Sequence, residues 1–257
     1  MSFRSCQSYW RFESAVANCT RYIFEKETSE FLKEILSSCK SRQRTIKSGT
    51  IFWRSQLGGD VRPVCDDEGN EIADEPCPFP EERMRPLKFL ANEGRANPKG
   101  IPYLYVATSK ETAMSEVRPW IGSEISVAQF RVVKELTIID CSENYTANPL
   151  FFDNERGLYE PSVEEKERAV WAHIDKAFSE PVTQDDNHAY YAPTQIIAEL
   201  FKKNGFDGVA YKSMLSDGYN IAFFDPLVVE MLNCFLYEAL KVSFSFEEIA
   251  NPYFIKS

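Results

Sequence analysis

Histidine is scarce in this sequence, and the cysteine spacings that usually hold metals are absent. The two histidines are His173 and His188, and neither stands in a spacing typical of metal ligands or of a nucleophile activated by imidazole. The seven cysteines are odd in number and contain no Cys-x-x-Cys pair. We therefore expect no metal site, and we interpret both histidines as structural or surface residues.

The sequence also lacks an excess of basic residues and long apolar runs. Its formal net charge is −10, which argues against a protein that coats nucleic acid, because such a protein must neutralise many phosphates. No apolar run reaches the ~18 residues of a membrane span, and no signal-peptide pattern is present. Together with the odd number of cysteines, these features predict a reduced, cytoplasmic protein whose partners include neither nucleic acid nor a membrane.

A dinucleotide-binding glycine motif is a further absence. No Gly-x-Gly-x-x-Gly follows a predicted strand, so the sequence does not support a Rossmann-type dehydrogenase. The composition does support a packed core, since 44% of the residues are hydrophobic and 14% are aromatic. A length of 257 residues fits one large domain or one domain with extensions.

The segment 94–117 contains the densest set of local signals. Residues 94–100 hold two glycines, an Asn-Pro pair and the cations Arg95 and Lys99, which predicts a tight turn that can hold an anion. The following residues alternate as in a strand, so Tyr103 and Tyr105 are expected on one face.

A short helix is predicted next, with an acidic residue in its last turn. Thr108 and Glu111 fit a capping box, and the helix should end near residue 118, before a proline. Glu116 lies where the helix dipole disfavours a negative charge, so it has no evident local structural role. It shares a face with the small residue Ala113, three positions earlier, which would let a substrate approach. Glu116 is therefore the candidate functional acid.

The rest of the chain is predicted to form helices and strands around this segment. Strands are expected over 125–133 and 136–140, a hairpin over 206–212 and 220–224, and a closing strand over 242–246. Helices are expected over 162–178 and 194–203. Residues 1–46 are interpreted as a peripheral helical extension, 47–226 as the main domain, 60–93 as an acidic, proline-rich insertion forming a long loop, and 227–257 as a tail that completes the sheet.

Three blocks of sequence then carry a resemblance to a known family. The first is Ile-Phe-Trp-Arg at 51–54. The second is Gly-Arg-x-Asn-Pro-x-Gly, Leu-Tyr-x-Ala and Thr-Ala-x-x-Glu-Val within 94–117. The third runs from 194 to 224 and contains Ser213. In this order and over roughly residues 47–226, the chain resembles the RES domain family, whose members are small NAD-consuming enzymes, many of them toxins neutralised by an antitoxin.

The resemblance implies an α+β fold like that of ADP-ribosyltransferases, with split mixed or antiparallel sheets and flanking helices. It implies that NAD is consumed as a substrate, with no separate cofactor. The catalytic residues that it implies are Glu116, Arg54 and Ser213, and the implied NAD-binding residues are Arg95, Tyr105, Asn97 and Asn220.

Each implied residue has a chemical role in such a reaction. Cleavage of the nicotinamide–ribose bond develops positive charge on the sugar, which the Glu116 carboxylate would stabilise. Arg54 and Arg95 would hold the pyrophosphate, because guanidinium groups bind phosphates bidentately. Tyr105 offers a ring to stack on nicotinamide. Hydrogen bonds to the ribose or the carboxamide would come from Ser213 and Asn220.

Three functions stay open at this point. The acceptor of the ADP-ribosyl group is water or inorganic phosphate in a NAD glycohydrolase or phosphorylase, and a protein side chain in a mono-ADP-ribosyltransferase. The third function is a non-catalytic module that senses NAD or binds a partner. Besides NAD, the partners to test are a neutralising antitoxin or immunity protein and a second copy of the chain.

Overall fold

The computed structural model describes residues 2–87, 90–144, 160–180, 188–243 and 245–247. Its strands are β1 Gln43–Ile46, β2 Ile51–Leu57, β3 Asp60–Cys65, β4 Glu71–Cys77, β5 Leu104–Ala107, β6 Glu124–Val132, β7 Leu136–Cys141, β8 Gly208–Lys212, β9 Tyr219–Phe223 and β10 Val229–Glu238. Its α-helices are α1 Ser8–Asn18, α2 Lys26–Ser38, α3 Glu81–Met84, α4 Lys110–Glu116, α5 Val163–Ser179 and α6 Ala192–Lys203. Short 3-10 turns span Cys39–Arg42, His188–Tyr191 and Pro226–Val228.

Eight of these strands form one mixed sheet in the order β1-β7-β8-β9-β5-β2-β6-β10, while β3 and β4 pair separately. Neighbours in the large sheet are antiparallel except β7 and β8, which are parallel. The predicted α+β class with mixed, mostly antiparallel pairing is therefore confirmed. The sheet is weakest between β5 and β2, which meet at one residue pair, Trp53 and Ala107. This seam divides the sheet into a five-stranded and a three-stranded part.

Two apolar cores cover the two faces of the sheet, because alternate strand residues point to opposite sides. Val209 and Ala222 face one core, whereas Ala210 and Ile221 face the other. The first core is covered by α1, α2, α5 and α6. The second contains Phe52 and Phe130 and includes Met84 of α3.

The sequence predicts residues 1–46 as a peripheral helical extension, and the structure corrects this prediction. Tyr9, Phe12 and Val16 of α1 and Phe31 and Ile35 of α2 are all buried in the first core. Residues 43–46 are not helical either, since they form β1, which pairs with β7 at the edge of the large sheet. An amphipathic pattern shows that one stripe of a helix is buried, but it does not show how large a core that stripe joins. The sequence therefore understates how much α1 and α2 contribute to the first core.

Two further expectations need correction. The segment 60–93 contains the β3–β4 hairpin and α3 rather than one long loop. The hairpin was not predicted because it is mostly exposed and rich in acids, so it lacks the alternation of a half-buried strand. In the tail, residues 242, 243, 245 and 246 form no strand, and β10 closes the sheet instead by pairing with β6.

The other predicted elements are confirmed to within two residues at each end. Helix α5 begins with a capping box, in which Ser162 accepts from the Glu165 amide and the Glu165 side chain accepts from the Ser162 amide. Helix α6 ends before Gly205, whose φ of +87° lies in the left-handed region that ends helices.

Helix α4 begins one residue later than the sequence predicted, and its cap differs. Ser109 is the N-cap, and its Oγ accepts from the Thr112 amide at 3.1 Å. Thr108 is bonded instead to the neighbouring strand β9: its Oγ1 accepts from the Tyr219 amide at 3.0 Å and its amide donates to the Tyr219 carbonyl at 2.9 Å. The start of α4 is therefore fixed to the start of β9.

The loop 213–218, which joins β8 to β9, is also held against α4. Thr112 Oγ1 and Ser216 Oγ lie 3.0 Å apart and share a hydrogen bond. Lys212 Nζ donates to the carbonyls of Ser216 and Gly218 at 3.3 and 3.2 Å. Gly218 comes so close to the helix that a Cβ at this position would lie 2.1 Å from Thr112 Oγ1.

We predict that Gly218→Ala lowers the free energy of unfolding by about 1–3 kcal/mol, because the added methyl group overpacks the contact between the loop and α4. Urea unfolding at neutral pH measures this change. The matched background is Thr112→Ala, which removes the clashing hydroxyl, so Gly218→Ala should cost clearly less there. An equal cost in both backgrounds would contradict the steric explanation.

His173 gives the fold a pH-dependent contact between α5 and α1. Its ring is buried, stacks on Tyr9 with centroids 6.1 Å apart, and lies 4.6 Å from the Trp10 ring. Burial, with a smaller contribution from Lys176, lowers the pKa of His173 to about 4. The folded protein therefore binds a proton at this site less readily than the unfolded chain does.

We predict that this histidine makes the protein less stable in acid. The contribution of neutral His173 is complete above about pH 6.5 and is lost as the pH falls from 6.5 toward 4, because the unfolded chain takes up the proton first. Between pH 7 and pH 5, the wild-type protein should lose about 1–2 kcal/mol more stability than His173→Gln does in urea titrations. Parallel losses in the two proteins would show that other groups cause the acid sensitivity.

Candidate active site

Three residues that are far apart in the sequence meet at the C-terminal end of α4. Ser213 Oγ donates to Glu116 Oε1 at 2.7 Å, and Asn220 Nδ2 donates to the same oxygen at 2.6 Å. Ser213 is fixed in turn, because its Oγ accepts from the Leu215 amide at 3.2 Å. Since both bonds end on Oε1, the carboxylate is held in one orientation, and among the described residues no hydrogen bond reaches Oε2.

The local fold explains why these three side chains converge. Ser213 directly follows β8, and Asn220 is the second residue of β9, paired with Tyr211 on one side and Ala107 on the other. Helix α4 begins three residues after Ala107 and is fixed to the loop 213–218. The hairpin and the helix thus bring their polar ends to the same place.

Glu116 lies between two cavities. The first, here called the cationic cavity, has a volume of about 290 Å³ and is lined by three cations, Arg95, Arg118 and Lys212. The second, here called the Arg54 cavity, measures about 230 Å³ and lies at the seam between β2 and β5. Both cavities share Glu116, Tyr211 and Asn220 as lining residues.

The Arg54 cavity contains polar groups that lack partners. Arg54 Nη1 donates to the Tyr105 carbonyl at 3.0 Å, but its buried Nε and the buried Ser55 Oγ bond to none of the described residues. Burial lowers the pKa of Arg54 to about 10, so the guanidinium still carries its charge at neutral pH. Unsatisfied buried donors are rare in native proteins, and both residues line this cavity.

Arg95 lines the cationic cavity rather than the Arg54 cavity. Its Nη1 donates to the carbonyl of Phe178 at 2.7 Å and also to that of Glu180, at the end of α5. Its guanidinium lies 5.5 Å from the centroid of the Tyr211 ring. The two arginines expected to hold a pyrophosphate therefore approach Glu116 from different cavities.

Tyr105 and Asn97 mainly hold the turn 94–100 in place. The Tyr105 hydroxyl donates to Asn97 Oδ1 at 2.6 Å and accepts from the Ala96 amide at 3.0 Å. Burial raises the pKa of Tyr105 to about 12, so this hydroxyl stays a neutral donor. The buried Asn97 lines neither cavity, and its Nδ2 donates to the carbonyls of Asn92, Pro98 and Ile101. The Tyr105 residue does line the Arg54 cavity.

The sequence analysis missed several residues of this site, above all Arg118, Tyr211 and Lys212. Tyr211 sits in a buried strand, where an aromatic residue is read as core. Arg118 has a φ of +49°, which is unique among the described residues other than glycine, and the turn carries it into the cationic cavity. Its position at the predicted helix end, directly before a proline, was the available signal. Ala113 does line the Arg54 cavity, as its spacing from Glu116 suggested.

The described residues offer neither a metal site nor a histidine beside these cavities. In the described ranges, no three residues of the His, Cys, Asp or Glu types are grouped so that they could hold a metal ion. His173 packs against α1, and the side chain of His188 lies outside what the structure describes. None of the described helices is both long and apolar enough to cross a membrane.

A search of curated proteins found no match. Among solved structures, the chain is similar to one in the crystal structure of the M. tuberculosis MbcT–MbcA toxin–antitoxin complex, at 14% identity and a TM-score of 0.40. That match covers 80% of this chain and 92% of the other.

The model of the RES domain family matches residues 77–234. This range begins after Arg54 and contains Arg95, Glu116, Ser213 and Asn220. It covers more than half of the sequence and includes the three side chains that meet at the carboxylate. The chain therefore belongs to the RES domain family.

Proposed function

We propose that this protein cleaves the bond between nicotinamide and ribose in NAD. One observation carries the proposal: a carboxylate that two side chains hold by the same oxygen, open to two cavities with cations in both. Cleavage of a glycosidic bond passes through a positively charged sugar, and a preorganised carboxylate lowers the energy of that state. NAD consumption in the RES family supports the choice of substrate.

Cleavage of this bond needs no general acid to protonate the leaving group. The bond between C1′ of the ribose and the nicotinamide nitrogen breaks, and its electron pair stays with nicotinamide, which leaves as a neutral molecule. An acceptor oxygen then bonds to C1′, and its proton passes to solvent. This chemistry suits cavities whose described linings contain no histidine.

The two cavities suit different parts of the dinucleotide. Trp53 and Tyr105 line the Arg54 cavity, and two aromatic rings there favour a planar heterocycle. Arg54 and Arg95 each supply a positive charge, one in each of the two cavities that share Glu116, and these charges suit the phosphates of NAD. Tyr105 would contribute its ring, since its hydroxyl is already bonded within the turn.

The acceptor in this proposal is water or inorganic phosphate. A cell that contains such an enzyme loses its NAD, so the proposal includes a toxin or defence role and a partner protein that neutralises it. Nicotinamide release with and without phosphate separates phosphorolysis from hydrolysis. Labelled NAD added to a cell lysate tests the alternative, because a mono-ADP-ribosyltransferase would leave label on protein.

We predict that Glu116→Gln lowers the rate of nicotinamide release by at least about 100-fold, because the neutral amide cannot stabilise the positive sugar. The purified protein is assayed with NAD, and nicotinamide is quantified by chromatography. Glu111→Gln is the matched control, since Glu111 lies in the first turn of the same helix and lines neither cavity. It should keep the wild-type rate. Unchanged release from Glu116→Gln would refute the assignment.

A further inference from the structure

Strand β10 forms an open edge of the large sheet. It is the last strand in the order of that sheet, so it pairs with β6 on one side and with no described strand on the other. With ten residues it is also the longest of the described strands. A long row of unpaired backbone groups on a sheet edge is a template for a further strand.

The ladder pattern shows which backbone groups of β10 are unused. The even-numbered residues of β6 bond toward the β2 side, since the Glu124 carbonyl accepts from the Gly58 amide and the Ser126 amide donates to the Gly58 carbonyl. The odd-numbered residues of β6 therefore bond toward β10, because alternate residues of a strand point these groups to opposite sides. Their partners are the odd-numbered residues of 233–237. The groups at the open edge belong to the residues between and after these: Cys234, Leu236 and Glu238.

This edge lacks most of the features that keep native sheets from pairing with each other. Strand β10 contains no lysine, no arginine and no proline. Its one irregularity is the bulge between Met231 and Asn233, and beyond the bulge the register is regular. The edge at β1 is different, because β1 has four residues and its Arg44 is ion-paired with Asp140 and Glu143.

Apolar side chains accompany these free backbone groups. Phe235 is 52% exposed and Leu232 is 40% exposed, while Leu236 and Tyr237 are partly exposed. Gly59 lies against the Leu236 side chain, but the β3–β4 hairpin that follows it does not pair with β10. A strand added at this edge would satisfy the backbone and cover the apolar side chains together.

We propose that β10 pairs with β10 of a second copy of the chain, antiparallel and about a two-fold axis at Leu236. The segment without a bulge is 233–239, since the ladder continues to Ala239, whose amide donates to the Ser123 carbonyl at 2.9 Å. Leu236 is the centre of this segment. Each residue with free backbone groups then meets another such residue of the copy and exchanges two hydrogen bonds with it. The pairs are Cys234 with Glu238, Leu236 with Leu236, and Glu238 with Cys234.

The side chains of β10 are self-complementary in this register. Phe235 lies opposite Tyr237 of the copy, and the two-fold axis repeats this contact. Both belong to pairs that exchange no hydrogen bonds, in which side chains approach most closely, and cross-strand aromatic pairs stabilise sheets. On the other face of the sheet, Leu236 lies opposite Leu236 of the copy. A two-fold interface uses one surface twice, so a strand that fits itself favours a second copy as the partner.

Charge excludes the neighbouring register. A two-fold axis at Cys234 would place Glu230 opposite Glu238 of the copy, and like charges directly opposite each other are destabilising. An axis at Leu236 places Glu238 opposite the uncharged Cys234 instead. No residue of β10 lines either cavity beside Glu116, so this inference is independent of the proposed function.

Sedimentation equilibrium of the full-length protein over a range of concentrations tests the dimer. The wild-type mass should rise from 29.5 kDa toward twice that value as the concentration increases. Leu236→Pro should raise the dissociation constant at least about tenfold, because proline removes both hydrogen bonds of the central pair. The lost amide faces the open edge, so β10 keeps its bonds to β6. A monomer at every concentration, or an unchanged constant in Leu236→Pro, would overturn the proposal.

Phe235→Ser is a second variant that does not alter the backbone. Because Phe235 is half exposed, its loss should be tolerated by the fold, while both aromatic pairs disappear and the dimer weakens. Val61→Ser is the matched control, since Val61 is 62% exposed on β3 and lies outside β10. It should leave the dissociation constant unchanged. A dimer that Val61→Ser dissociates and that both β10 variants leave intact would contradict the proposed interface.

Disulfide cross-linking tests the register. The Cα atoms of a hydrogen-bonded antiparallel pair lie about 5.5 Å apart, a distance that a disulfide spans. Leu236→Cys, combined with Cys19→Ser and Cys65→Ser to remove the exposed thiols, should form a covalent dimer under mild oxidation. Mass spectrometry of the digested dimer should find the disulfide between the two introduced cysteines. A disulfide through Cys234 in its place would overturn the axis at Leu236.

Discussion

The site depends on the two hydrogen bonds that Ser213 and Asn220 donate to one oxygen of Glu116. Nothing within α4 would keep that carboxylate in place, because the C-terminal end of a helix repels negative charge. The bonds exist because Thr112 holds the loop 213–218 against α4, because Lys212 closes that loop through its carbonyls, and because β9 begins beside the start of the helix. The orientation of one carboxylate is thus a property of a helix, a loop and a hairpin together.

A buried ion pair stabilises α5, the helix whose last carbonyls bind Arg95. Asp175, in α5, accepts from Arg42 Nη1 at 2.9 and 3.0 Å and from the Asn144 amide at 2.9 Å. Burial raises the pKa of Asp175 to about 6, against the opposing effect of Arg42. Loss of either partner would leave a buried charge uncompensated, which typically costs about 3–5 kcal/mol. Because the carbonyls at the end of α5 bind Arg95, this pair also helps to position a cation of the cationic cavity.

The sequence predicts the helices and strands correctly where their structure is determined by neighbouring residues in the chain. The hairpin β8–β9, helices α5 and α6 and the strands β6 and β7 carry turn, cap and alternation signals that depend on neighbours in the chain. It failed where burial or backbone conformation is decided at long range. The N-terminal helices complete a core formed by distant strands. The left-handed turn at Arg118 follows from the fold and has no residue signature, since glycine is the usual choice there.

The seam in the sheet explains why a cavity exists beside Glu116 at all. Strands β2 and β5 meet at one residue pair, so the backbone groups beyond it need other partners. The Tyr105 carbonyl finds one in Arg54 Nη1, which takes the place of a hydrogen bond from a neighbouring strand. The Nε of the same arginine is buried without a hydrogen-bond partner among the described residues. A continuous sheet would have paired this backbone with a neighbouring strand, so the cavity beside Glu116 and the buried arginine in it both follow from incomplete strand pairing.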